Sequence, residues 1–242
     1  MTSNITPFQV FKNSVKDNIL MLLCISVALY LLSFFISTGI IYAFNSFNIA
    51  LHASVWATAL PKLINGVILG YLFLMAVTLV YDGKLVHFKE GALKYIWVLG
   101  LFVLVYIVDV GVRLILQYVK GDSYLPAVFF AMAVSAGLGF ILKTLVTFIF
   151  FLFYKNNSLK VNSYNIILFI AFFILSAALA LPGVVMGLVP TYLGYSGVPI
   201  HQFINYYIAA MHVMSFVVIF LTTLLYIFVL AFIKNGGENG IN

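Results

Sequence analysis

Tyr106, Asp109, Arg113 and Gln117 fall at i, i+3, i+7 and i+11 within an otherwise apolar stretch, so a helix would carry them on one stripe. A carboxylate and a guanidinium four residues apart can neutralise each other. A charge in hydrocarbon is costly, so such residues face a bundle interior or a wet cavity. The stripe therefore predicts a polar groove open toward the outer leaflet, able to hold an ion, a proton or a polar headgroup. The alternative is a structural ion pair at a helix end. Counted at ~1.5 Å per residue from Tyr95, Arg113 stands ~27 Å up, where it can snorkel to the outer interface. A second stripe runs through Ser135, Gly139, Lys143 and Thr147, each four apart. Lys143 is either a functional cation or a structural partner for Asp109. By the same count the two stand ~28 Å and ~15 Å from the outer end, so direct contact requires tilt or a displaced helix start.

Other chemistry is scarce. The chain has no HExxH, no GxSxG elbow and no phosphate loop. Asp109 is the only acid inside an apolar run, which excludes a paired-aspartate intramembrane protease. His52, His87, His201 and His212 lack metal or haem spacing, and the lone Cys24 precludes an intrachain disulfide. No metal site and no cofactor is expected. Ser135 and His212 are expected at similar depth, a layout that resembles the rhomboid proteases. The sequence departs from them: it reads Ala133-Val134-Ser135-Ala136-Gly137 where they carry Gly-x-Ser-Gly. Of their oxyanion His and Asn, Asn65 alone has a counterpart. Ser135 otherwise reads as a small packing residue.

The elements that position these residues follow from composition. Of 242 residues, 64% are hydrophobic and 7% charged, against about 25% charged in soluble domains. So few charges cannot clothe a water-facing surface, and lipid must cover most of the exterior. Six apolar runs, at about 19–44, 63–81, 95–119, 125–154, 166–189 and 204–233, each reach the ~20 residues a helical span needs. They are too long and continuous for barrel strands. The first is too long for a signal-peptide core and reads as a retained span. The sequence predicts an all-α polytopic bundle forming a single integral membrane domain over residues 1–242. Asn45 to Pro61 is expected as the longest outer loop. Pro182 is expected to kink or end the fifth span, and the uncharged stretch from Pro190 to Pro199 to dip back into the membrane.

Cations set the orientation. With six spans, Lys12, Lys16, Lys84, Lys89, Lys94, Lys155, Lys160 and Lys234 share one side, while Lys62 and Lys120 take the other. This bias predicts cytoplasmic N- and C-termini in the cell (inner) membrane. The net charge of +6 points to anionic headgroups as partners, and nucleic acid is rejected. Thr6-Pro7 predicts a helix start. Phe8, Phe11 and Val15, beside Lys12 and Lys16, then predict a short helix lying in the cytoplasmic headgroup layer. Similar segments follow at Phe88–Tyr95 and at Lys155–Lys160. Either the three mark an internal repeat, or the positive-inside rule alone places lysines in every inner loop. Small-residue pairs, Gly66 with Gly70, Gly183 with Gly187, Ala133 with Gly137 and Ser135 with Gly139, predict close helix packing.

Phe11-Lys12-Asn13-Ser14, Leu63-Ile64-Asn65-Gly66, the Gly83…His87…Ala92 stretch and Pro182-Gly183-Val184-Val185-Met186 resemble a group of six-span inner-membrane proteins. That group is similar to the membrane domain found beside some glycerophosphodiester phosphodiesterases. The resemblance covers mainly the first half and implies no catalytic residue. The layout is also similar to permease subunits of export-type ABC transporters: six spans, both termini inside, an interfacial first helix. That likeness implies a cytoplasmic ATPase, or other membrane subunits, as partner, with Gly83–Trp97 touching it. Asp82 is the nearest match to the acidic residue such permeases carry after the second span. The sequence thus points to a non-enzymatic membrane protein in transport or envelope maintenance, with an exporter permease subunit and a rhomboid-like protease as alternatives.

Overall fold

The computed structural model describes residues 6–46, 53–83, 125–156, 163–195 and 204–238, with the helical positions Ile96, Gly100, Val103, Leu104, Tyr106, Ile107 and Gly111. Among the described residues all regular structure is helical: α1 (Pro7–Lys16), α2 (Ile19–Ser46), α3 (Ala53–Asp82), α4 (Leu125–Asn156), α5 (Ser163–Tyr195) and α6 (Ile204–Glu238). Among the described residues, four helical segments are long and apolar enough to cross a membrane: Ile19–Ile36, Ile64–Asp82, Ser163–Val185 and Tyr206–Asn235. An isolated helix satisfies its own backbone hydrogen bonds, which is what a water-free solvent demands. These segments mark a membrane-embedded helical protein. The expected third span, 95–119, lies largely outside the described residues.

The start of α1 follows from local chemistry. Thr6 takes an extended conformation and its hydroxyl accepts from the Gln9 amide at 3.3 Å. The Gln9 side chain accepts in return from the Thr6 amide at 2.9 Å, closing a capping box, with Pro7 at the first helical position. Asn18 then serves two helices. Its side-chain amide donates to the Ser14 carbonyl at 3.0 Å, and its own carbonyl accepts from Leu22 N–H at 2.9 Å. The break between α1 and α2 is therefore a hydrogen-bonded turn of two residues.

Helices outrun the apolar runs. α3 begins at Ala53 and carries Pro61 and Lys62 within it, so most of the expected outer loop from Asn45 to Pro61 is helix. α5 continues through Pro182 and Pro190 to Tyr195; Pro182 does not end it, and residues 190–195 are helical instead of re-entrant. Each proline removes a single backbone donor, a loss that membrane helices absorb by local adjustment. Charge and proline mark where hydrocarbon ends, not where the backbone ladder ends. α3 itself stops at Gly83, whose φ of 63° is the left-handed geometry of a helix terminus.

The chain forms two compact units, residues 1–30 with 160–242, and residues 31–159. In the first, α6 packs against both α5 and α1. Tyr164 donates to the Phe232 carbonyl at 3.0 Å, and the Phe172 and Tyr226 rings lie 6.3 Å apart. As the chain climbs α5 its partners descend α6, so the two helices are antiparallel. Phe11 of α1 meets Phe228 of α6 edge to face, centroids 5.6 Å apart. The opposite face of α5 is bare: Ile167, Ile174 and Leu181, seven residues apart, are 67%, 60% and 59% exposed. In the second unit α3 is the most enclosed helix. Leu72, Phe73, Met75, Ala76 and Val77 are fully buried, and Phe73 stacks on Phe151 of α4 at 5.0 Å with the planes 8° apart. Phe150 adds an edge-on contact to the same ring at 6.0 Å.

Candidate functional site

Among the described residues, one cluster of polar side chains lies inside the long helices of each unit. In the second unit, Phe140, Lys143, Thr144 and Thr147 of α4 occupy the apolar stretch Gly137–Leu152. Thr144 and Thr147 are buried, and each hydroxyl donates to the carbonyl four residues back, to Phe140 at 2.9 Å and to Lys143 at 2.7 Å. These bonds satisfy the hydroxyls inside their own helix and need no partner helix. The Lys143 ammonium stands 5.9 Å from the centroid of the Phe140 ring, within cation–π reach. Among the described side chains, Lys143 is the one charge set in the middle of a long helix. An aromatic face offsets part of the cost of holding that charge in hydrocarbon.

In the first unit, Leu22, Ser26 and Tyr30 follow one stripe of α2, four residues apart. Leu22 and Ser26 are fully buried, and among the described residues the Ser26 hydroxyl has no hydrogen-bond partner. The Tyr30 ring meets His212 of α6 in a T-shaped contact at 6.1 Å. Further along α6, Ser215 donates to the Met211 carbonyl at 2.7 Å and the buried Thr223 to the Ile219 carbonyl at 2.9 Å. The arrangement places an imidazole and a phenol side by side within long apolar helices.

Of the residues the sequence singled out, Asp109, Arg113 and Gln117 lie outside the described residues. Tyr106 is helical and half-buried, as is Lys143. Gly66 and Gly70 are buried on α3, Gly139 is half-buried, and Gly137 and Gly183 are exposed. Among the described residues, a Cβ added at Gly137 or Gly183 would meet no atom within 4 Å. The side chains of Gly187's neighbours in α5 and of Ser135 in α4 fall outside the described set. His212, weighed in the sequence as a partner for Ser135, meets Tyr30. The Leu22, Ser26, Tyr30 spacing was the available signal for this second cluster, but nothing in α2 alone identifies the helix that faces it. Among the described residues no group of three His, Cys, Asp or Glu side chains is placed to hold a metal ion.

No family model matches the chain, no curated protein matches its sequence, and no solved structure matches its fold. The functional reading therefore stands on the chain's own residues.

Proposed function

We propose that the chain is a six-span protein of the cell (inner) membrane with both termini cytoplasmic. It acts without enzymatic activity in transport or maintenance of the envelope, with a polar path lined by Asp109, Arg113 and Lys143. The observation that carries the reading is Lys143 itself, a cation in mid-helix within an apolar stretch. Such residues mark ion, proton or headgroup pathways by default. Same-side termini draw support from the Phe11–Phe228 contact, which holds the middle of α1 against the C-terminal third of α6.

Two experiments test this. With Cys24 replaced by Ser, a cysteine placed by Lys120→Cys should react with an impermeant maleimide on intact cells. One placed by Lys89→Cys should react only after permeabilisation, and the reverse pattern defeats the orientation. In a strain lacking the gene, Asp109→Asn and Lys143→Gln should accumulate normally yet fail to restore the lost phenotype. Failure to accumulate would make those residues structural and remove the path.

A further inference from the structure

α1 has two unlike edges. Val10, Phe11, Ser14 and Val15 are half-buried, on the side that leans against α6 through the Phe11–Phe228 contact. Phe8, Lys12 and Lys16 are exposed and lie four residues apart, on one line along the helix, ~6 Å per step. Phe8 is 61% exposed; its ring tilts against Phe11 at 6.3 Å and leaves most of its surface uncovered on the edge that carries the two lysines. Neither lysine has an acidic partner among the described residues. Asp17, the acid of this segment, sits about 100° around the axis from Lys16. Lys234, near the end of α6, adds a cation to the same end of the unit, where the Phe228 and Phe232 rings lie 4.7 Å apart.

We propose that Phe8, Lys12 and Lys16 form a docking stripe for one anionic phospholipid, held at the foot of α6. The lipid phosphate lies between the two ammonium groups, and an acyl chain lies along the Phe8 ring. The occupant follows from the order of the side chains: an apolar ring followed by two cations matches a molecule that is apolar at one end and anionic at the other. A zwitterionic lipid satisfies the ring but carries no net charge for the lysines. The capping box at Thr6 and the Asn18 turn fix both ends of α1, so the stripe is presented by a preformed helix. The proposal rests on the membrane reading above and goes further by naming the headgroup charge and the residues that select it.

The test uses the full chain reconstituted in vesicles. Phe8→Trp places an indole on the stripe, and its signal is read after subtracting that of the unsubstituted chain, which carries Trp56 and Trp97. Brominated phosphatidylglycerol should quench the added indole at a lower mole fraction than brominated phosphatidylcholine. A lysine near an anionic surface is worth roughly a fivefold bias, so two give a preference of roughly 30-fold. Adding Lys12→Gln and Lys16→Gln should abolish the preference while phosphatidylcholine still quenches. Equal quenching by both lipids, or a preference that survives loss of both lysines, overturns the stripe alone. Quenching by neither lipid also overturns the stripe, whereas failure of the chain to float with the vesicles in a density gradient overturns the membrane reading and the stripe with it. A second measurement needs no reporter: native mass spectrometry of the unsubstituted chain should retain phosphatidylglycerol that the Lys12→Gln, Lys16→Gln chain loses. Equal retention by the two chains overturns the proposal.

Discussion

At the scale of single residues, burial and backbone geometry separate positions that look alike in the sequence. Phe73→Ala removes a fully buried ring from between Phe150 and Phe151. It should lower stability by ~3–5 kcal/mol, read as a fall in thermal unfolding midpoint in detergent. Phe35→Ala, at a site 65% exposed, should leave that midpoint nearly unchanged. Glycines divide in the same way. Gly183→Ala adds a methyl group that meets nothing within 4 Å, so helix propensity alone acts and the variant should gain up to ~1 kcal/mol. Gly83→Ala forces a side chain into φ 63° and should lose ~1–2 kcal/mol in the same measurement. The sequence treats Gly66, Gly70 and Gly183 as equivalent small residues, because spacing within one helix carries no information about which faces meet another. His212 shows the same limit. Its partner Tyr30 is some 180 positions earlier in the chain, and nothing local to either residue announces the contact.

At the scale of elements, the start of α1 was legible and the extents of the long helices were not. Thr6-Pro7 states a helix start through hydrogen bonds that close within four residues, and α1 starts there. The apolar runs located the centres of α2 through α6, since hydrocarbon length sets the minimum span. They missed where α3 begins and where α5 ends, because a helix continues past the lipid boundary while its backbone bonds hold. Asn18 was not singled out at all, although it joins α1 to α2 from both sides. Asn18→Ala removes the bond to the Ser14 carbonyl and should loosen the last turn of α1. Hydrogen exchange should detect this as faster exchange at the α1 amides, with the Tyr206–Asn235 segment unaffected. Uniform acceleration across both helices would mean that α1 and α6 unfold together.

At the scale of the whole molecule, composition alone carried the main conclusion: too few charges exist to wet the exterior. The structure supplies its counterpart in side chains. In the Ser163–Val185 segment only Leu168 and Phe172 are buried, although nearly every residue on it is apolar. Replacing Ile167, Ile174 and Leu181 together by Ser should therefore leave the packing of α5 on α6 intact while impairing insertion. Protease-protection assays should show the third of these segments failing to integrate, whereas Tyr164→Phe, which removes a contact to α6, should insert normally.

The bare face of α5 also fixes a thickness. From Ile166 to Val185 it rises roughly 28 Å, close to the ~30 Å of a bilayer's hydrocarbon. Any substitute for the bilayer must match that height along one wall. Short-chain detergents form a belt too shallow for it, leaving isoleucine or valine wet at one rim, and copies of the chain would then shield one another by clumping. Lengthening the alkyl tail, with headgroup held constant, should carry the purified protein across a threshold from aggregated to monodisperse.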